Sequence, residues 1–302
     1  MKNEYALVSI ITINYKQAEV TNQLIASLQR ITWPNFELIV VDNNSGENDC
    51  SKINTTNKNT LLICNTKNDG FAGGNNIGIK AAKGDYILLL NNDTEVAPGF
   101  LEPMIELFEK NDSIGAVSPK IKFFHHPELI QYAGFTKMNP FTLRMHAIGS
   151  RQIDNGTYDE VSETHFAHGC AMMVSRKVLE TVGYMPEEYF LYYEEHDWSA
   201  AIKRKGYQIW YQPESLVLHK ESISVKKGSV LKTYFINRNR ILFMKRNFNW
   251  INRLMAFLFI LLISFPKNLL MFLIKSEYKH LQAYWDAISW NFTHKTKNRW
   301  NH

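Results

Sequence analysis

The chain has 302 residues, 45% apolar and 21% charged, an ordinary globular composition that excludes a disordered or low-complexity protein. The net charge of +5 hides an asymmetry: residues 226–302 hold 14 Lys and Arg against two acids, while the preceding 225 residues hold 20 basic and 27 acidic groups. An acidic body with a basic tail points the tail at something negative, and no nucleic-acid partner is expected for the body. Cys50, Cys64 and Cys170 are widely spaced and odd in number, so no disulfide framework and no metal pair are expected, and a reducing compartment fits. VSIITI is too short for a signal peptide and leads straight into polar NYKQ, so none is expected.

VSIITIN (8–14) is a short β-branched run and predicts a buried strand. Helical spacing follows in TNQLIASLQR, with Leu24, Ile25 and Leu28 on one face and Pro34 as the stop. FELIVVDNNS (36–45) is a second buried strand running into a polar turn, and LLICN (61–65) a third. NDGFAGGNNIGIKAAKG (68–84) reads as a Gly-rich loop opening a helix, with Gly84 as its C-terminal cap. DYILLLNNDTEV (85–96) is the most apolar strand; a helix over 98–111 and a strand over 115–121 follow. Residues 122–165 are irregular and polar, an insertion or hairpin near the site. HGCAMMVSR (168–176) predicts a strand and RKVLETVG a short helix. In YFLYYEEHDW (189–198) the pattern turns helical at Glu194 and stops at Gly206; YQIWYQ is another strand, followed by SLVLHKES. This alternation argues for an α/β domain with a mostly parallel central sheet flanked by helices, split into halves near residue 120. Such sheets bind ligands beyond their C-terminal strand ends, where Asp42-Asn43-Asn44 and Asn91-Asn92-Asp93 fall.

The character changes after residue 228. SVLKTYFINRNRILFMKRN is a basic helix, and LMAFLFILLISFPKNLLMFLI (254–274) is long enough to span a bilayer but is interrupted by Pro266, Lys267 and Asn268. Helices lying in an anionic membrane surface are the expectation for 229–302, with LQAYWDAISW, basic residues and Trp300 completing the tail. Packing on the body or on a second copy of the chain is the alternative.

Asp93 closes an apolar strand, and its carboxylate suits Mg²⁺ or Mn²⁺ on a diphosphate; an Asx turn would explain the same residues. Asp42 suits a base N–H or a turn cap, and His219 after SLVL suits a metal ligand or a polar filler. Three acids, Glu194, Glu195 and Asp197, press against an aromatic wall, as an acidic helix start or as a catalytic carboxylate.

Taken in order, VSIITINY, VVDNNS, NDGFAGGNNIGI, GDYILLLNNDTEV, GCAMMVSRKVLETVGYMPEEYFLYYEEHDWSAAIKRKGY and LVLHKES closely resemble the family 2 glycosyltransferases, nearest the bacterial rhamnosyltransferase-like branch, over about residues 7–245. The resemblance implies a GT-A fold and an inverting transfer from a nucleoside diphosphate sugar. Asp42 matches the acid that contacts the base, and Asn68 and Asn75 the loop lining the nucleotide. Asn91-Asn92-Asp93 matches the DxD metal motif, with Asn for its first acid, and His219 the histidine completing the metal site. Thr12 and Asn14, ending the first strand, join the nucleotide-sugar set. Glu194-Glu195-His196-Asp197 matches the segment carrying the base, with Glu195 where Asp is usual and Asp197 as the alternative. Tyr193, Glu194 and Trp198 are the candidate acceptor contacts. The implied acceptor is a lipid-linked saccharide at the cytoplasmic face of the membrane, and homo-oligomerisation stays open. A processive synthase would show a QxxRW segment, absent here; a nucleotidyltransferase would need a GxGxR-type loop after the first strand, where NYKQAE stands. A catalytically inactive glycan-binding scaffold is the alternative from another class.

Overall fold

A computed structural model of the chain describes residues 5–220 and 228–294. Glu221 and Ser222 of LVLHKES, the lysines at 226 and 227, and Trp300 lie outside the described residues.

Among the described residues ten strands form one sheet, eight of them in the order β3-β2-β1-β4-β9-β6-β10-β5, with β7 paired to β6 and β8 to β10. Its first half is parallel: β1 (Val8–Asn14) lies between β2 (Phe36–Asp42) and β4 (Tyr86–Leu90), and β2 pairs outward with β3 (Thr60–Cys64). Near-continuous Val, Ile and Leu make these strands two-sided core, as covered parallel strands require. α1 (Ala18–Leu28) and α4 (Glu102–Lys110) cover one face with β1, β2 and β4 residues in a common core. α3 (Gly70–Ala81) and α6 (Glu194–Arg204) cover the other.

The second half departs from the expected parallel arrangement. β9 (Ala171–Ser175) runs antiparallel to both β4 and β6 (Ile114–Phe123). β7 (His126–Tyr132) folds back on β6 as a hairpin, and β8 (Ser162–Thr164) and β5 (Thr94–Val96) pair antiparallel with β10 (Gln208–His219). YQIWYQ and SLVLH are thus one strand, with a register shift between Gln212 and Leu216. A short apolar run states that a strand exists but not its direction, which the connections decide.

Two further expectations are corrected. Cys50, at the end of α2 (Glu47–Cys50), is disulfide-bonded to Cys64 at the end of β3, leaving only Cys170 free. Fourteen residues separate the pair, but the fold brings their Cα atoms to 6.4 Å, within disulfide reach. Gly84 does not cap α3, whose last residue is Ala81. A Cβ on Gly84 would meet Ser9 N at 2.6 Å, so the residue is glycine to let two backbones touch.

Past α5 (Arg176–Val182), α6 and β10, the chain forms four more helices: α7 (Val230–Asn247), α8 (Trp250–Phe259), α9 (Phe265–Ile274) and α10 (Tyr278–Thr293). α8 runs into α9 through a π-helical turn at Ile260–Ser264. α7 starts just past residue 228, yet its buried Phe235, Ile241, Leu242 and Phe243 are built into the body. The last three share a core with Phe166 and Tyr189.

Candidate active site

Polar groups from the ends of β1, β2 and β4 form one hydrogen-bonded chain. Asn14 Nδ2 donates to Asp42 Oδ2 at 2.7 Å and to Asp49 Oδ2 at 2.9 Å. Thr21 Oγ1 donates to Asn14 Oδ1 at 2.9 Å and accepts from Asn92 Nδ2 at 3.0 Å. The second Asp42 oxygen accepts from Ser45 N at 2.9 Å. Asp42 is thereby fixed beside a cavity of about 520 Å³, whose other walls include Asn44, Cys50, Leu62, Cys64 and Asn65. A largely apolar slot with one oriented carboxylate suits a flat heterocycle that offers an N–H. The Cys50–Cys64 disulfide forms part of its wall.

The Gly-rich loop borders the same region. Asn68 Oδ1 accepts from Asn43 Nδ2 and from Gly70 N, both at 2.9 Å, which shapes the turn into α3. Two members of the expected nucleotide set belong to the framework instead. Thr12 is fully buried within β1, two residues short of the strand end. Asn75 is buried in α3 and its Nδ2 donates to Phe71 O, the carbonyl four residues back.

Asp93 follows β4, and His219 ends β10. Antiparallel pairing sets His219 opposite Thr94, and Lys220 N donates to Asp93 O at 2.8 Å. The side chains converge, with His219 Nε2 3.2 Å from Asp93 Oδ1. Gln131 Oε1 accepts from His219 Nδ1 at 2.8 Å, which directs Nε2 to Asp93. Burial opposes charge on this ring, but Cys170 and Asp93 beside it outweigh burial and hold its pKa well above the ordinary histidine value. Nε2 is buried without an aligned hydrogen bond. One carboxylate and one imidazole fit a divalent cation such as Mg²⁺ or Mn²⁺. Among the described residues no group of three His, Cys, Asp or Glu converges, so phosphate and water are the remaining ligands such an ion would take.

The acidic segment stands across the turn His168-Gly169-Cys170. On one side of this turn Cys170 O accepts from Asn91 N at 2.8 Å, near the Asp93–His219 pair. On the other, Glu195 lies flat over Gly169, where an added Cβ would sit 3.3 Å from Glu195 Cδ. Glu195 Oε1 is 3.6 Å from His196 Nε2, and its Oε2 has no hydrogen-bond partner. His196 is enclosed by the rings of Phe135, Phe166 and Tyr193, and burial lowers its pKa, keeping it neutral. Burial, then the charge of Glu195, push the Glu194 carboxyl well above its usual range.

Asp197 and Trp198 are corrected. Asp197 is fully buried and accepts from Arg246 Nε at 2.6 Å and from Asn247 Nδ2 at 2.9 Å, so it anchors α6 to α7 and does not face a substrate. Trp198 is core, with Nε1 donating to Gly183 O at 2.9 Å, and offers no stacking face to an acceptor. Tyr193 stays beside Glu195, its ring packed on His196 and Phe243 and its hydroxyl pKa pushed by burial up to about 12.

How Glu195 is presented is the part sequence reasoning missed. Phe190, Tyr192 and Tyr193 all have positive φ (63°, 70° and 76°), a costly run for non-glycine residues. The carbonyls this bend turns outward are met by α7. Asn239 Nδ2 donates to Tyr189 O, Leu191 O and Tyr192 O at 3.0, 2.7 and 2.7 Å. Arg238 donates to Glu188 O and Tyr189 O, and Arg246 pairs with Glu188. Phe190 O accepts from Phe71 N at 2.6 Å, tying the bend to the Gly-rich loop. A signal was present: Asn239 and Arg246 lie seven apart, hence on one helical face, amid apolar residues.

Comparison with known proteins gives the family and the fold. The sequence model described as glycosyl transferase family 2 matches residues 9–183. The low-salt glycan biosynthesis hexosyltransferase Agl10 of Haloferax volcanii is 26% identical over 246 residues, covering 78% of this chain and 74% of that protein. A poly-beta-1,6-N-acetyl-D-glucosamine synthase of Staphylococcus epidermidis is 25% identical over 69% of this chain, which matches 48% of its length. Among solved structures, the mannosyltransferase PcManGT from Pyrobaculum calidifontis, in complex with GDP-Man and Mn²⁺, superposes with a TM-score of 0.60 at 14% identity, covering 98% of this chain and 77% of that one. GalNAc-T7 with UDP, GalNAc and Mn²⁺ superposes at 0.62 and 16% identity, over 76% of this chain and 45% of that one. These likenesses place the chain among GT-A folds.

Proposed function

The chain belongs to glycosyl transferase family 2, and from that premise we propose that it is an inverting transferase moving one sugar from a nucleoside diphosphate sugar to a hydroxyl of a lipid-linked saccharide during surface-glycan assembly. The observation that carries this reading is that the Asp93–His219 pair and Glu195 flank one short turn, His168–Cys170. A diphosphate held on one side and a base on the other is the arrangement a single displacement needs.

Asp42 and the 520 Å³ cavity receive the base, favouring uracil or thymine, whose imide N–H the carboxylate accepts. Asp93 and His219 would hold Mg²⁺ or Mn²⁺, which would supply positive charge to offset that of the departing diphosphate. Glu195 takes the proton from the acceptor hydroxyl as it attacks the anomeric carbon. Tyr193 borders the acceptor side. A dTDP-rhamnose or UDP-hexose donor is the reading for the sugar; the hexosyltransferase name of the Haloferax relative favours a hexose. A lipid-linked acceptor agrees with the basic C-terminal helices and a position at the cytoplasmic face of the membrane.

The test is release of nucleoside diphosphate from a panel of UDP-, dTDP- and GDP-sugars with Mn²⁺ or Mg²⁺. Metal-dependent release from at least one donor, abolished together with metal-dependent donor binding by Asp93→Ala, is expected. No release and no metal-dependent binding across the panel would leave a glycan-binding scaffold as the better reading.

A further inference from the structure

We propose that the outward face of α8 and α9 docks in the plane of an anionic bilayer, entering one leaflet without crossing it. This deepens the reading above by naming the surface on which the lipid-linked acceptor is met.

The first observation is a segment that is apolar on both faces. A surface helix in water turns apolar residues inward and polar ones outward. Over 250–274 apolar residues fill the outward face as well, with Lys267 the exposed charge among them. The buried positions Ala256, Ile260, Ser264 and Phe272 face the body at multiples of four residues. Polar Ser264 is among them: its Oγ accepts from Arg240 of α7 at 3.2 Å and from Asn268 Nδ2 at 3.4 Å. The outward positions are apolar, with Trp250 72%, Leu262 67% and Ile274 75% exposed, and Leu254, Leu258 and Leu270 between them. An apolar surface of this extent calls for a cover.

Connectivity excludes a crossing. By length and composition the helix at 250–274 is long enough to traverse a bilayer. Both flanks, however, are tied to the same side. Its N-terminal end follows α7 directly, and Arg253 Nε donates to Phe248 O at 2.9 Å. At its other end the chain reverses, and α10 lies along α9, with Phe265 stacked on Tyr284 and Phe272 stacked on His280. α10 also packs on α7, where Asn291 Nδ2 donates to Arg238 O at 2.9 Å and Thr233 bonds His280 at 2.8 Å. A spanning 250–274 would set α10 on the far side of the membrane and break all of these contacts.

Charge selects the cover. The segment 250–276 carries Arg253, Lys267 and Lys275 and no acidic residue. A second copy laid on this face would bring like charges together with nothing on the segment to pair them. A leaflet with anionic headgroups supplies both hydrocarbon and counter-charge.

The full chain is mixed with vesicles of equal parts phosphatidylcholine and phosphatidylglycerol and sedimented. Binding is expected, weakening with salt and with loss of phosphatidylglycerol. Leu262→Glu combined with Leu258→Glu, both at exposed positions, lowers the partition coefficient at least about tenfold, as expected from the apolar area withdrawn. Bromine placed shallow on the acyl chains quenches tryptophan fluorescence more than bromine placed near the chain ends, and alkaline carbonate releases the protein. No vesicle binding by the native chain overturns the proposal, as does a concentration-dependent dimer that the double variant abolishes. Deep quenching with resistance to carbonate overturns it in favour of a span. Metal-dependent donor hydrolysis without lipid separates the two readings: hydrolysis without vesicle binding removes the docking face and leaves the transferase standing.

Discussion

The side-chain amide of Asn239 donates to the carbonyl oxygen of Tyr192 at 2.7 Å, and the same nitrogen reaches Tyr189 O and Leu191 O. One fully buried side chain, from a helix 47 to 50 residues further along the chain, thus holds a strained bend, with Arg238 sharing Tyr189 O. Asn239→Leu keeps the branched shape and removes the donor. Loss of the bonds to Leu191 O and Tyr192 O should cost about 2 kcal/mol of stability and let Glu195 shift. The expected result is a kcat for transfer lowered about 10- to 100-fold, with donor affinity unchanged. Steady-state kinetics together with calorimetric donor binding check it; a loss confined to thermal stability would reduce Asn239 to a packing residue.

The acids of the EEHD segment separate by environment. Glu195→Gln should retain metal-dependent donor binding and lose transfer, because the amide cannot take the acceptor proton. Asp197→Asn should act through folding: it weakens the buried contacts to Arg246 and Asn247, lowering the melting temperature. Its remaining folded fraction should transfer at near-native rate. Active-site-normalised rates for both variants decide between them, and near-full activity in Glu195→Gln would move the base elsewhere.

Gly70 joins the nucleotide loop to the bend before Glu195. Its φ is +70°, and a Cβ there would lie 2.2 Å from Phe190 O, an obstacle made of backbone. Gly70→Ala should therefore cost about 2–4 kcal/mol, far more than Gly46→Ala, where φ is also positive but nothing lies within 4 Å. Denaturant titration of the two variants side by side tests the difference.

A partly buried charge cluster near β6, with Lys120 buried and Asp159 exposed, gives a pH dependence. Lys120 pairs with Asp154 at 3.0 Å and with Asp159, and Lys122 pairs with Asp154 at 3.0 Å. For Asp154, burial works against the charge, but the two lysines outweigh it and lower the pKa. For Lys120, burial is likewise outweighed, by Asp159 and Asp154, and the pKa is raised. The depressed carboxyl contributes stability that is complete above the ordinary carboxylate range and lost as pH falls through its folded value. The raised lysine contributes stability below the ordinary lysine value, lost only as pH rises through its folded one. Asp154→Asn should cost about 3 kcal/mol at neutral pH and flatten the acid limb of stability against pH.

The candidate site residues were more legible in the sequence than the residues that hold them. Asp42 and His219 end strands and Asp93 lies between two, positions read from short apolar runs closing on polar residues. Glu195 stood out because its neighbours are aromatic and acidic together. Asn239 and Gln131 did not, since each acts on a partner 47 to 88 residues away, a distance only the folded topology closes. Asp197 misled for a related reason: helical spacing does not say that α7 covers its side of α6, whereas Trp198 packs in the core beneath the sheet. The Cys50–Cys64 bond follows from β3 pairing beside β2, which no spacing of three cysteines reveals.

The antiparallel pairing of β10 with β5 has a thermodynamic corollary. Thr94 opposite His219, with Lys220 N bonded to Asp93 O, ties Asp93 and His219 together through their backbones. On the proposed reading, an ion arriving there would meet two side chains already held in place by the sheet, unlike domains that must fold around their metal. Heat-capacity change on metal binding should accordingly be small, and the gain in melting temperature should follow free-metal concentration by mass action.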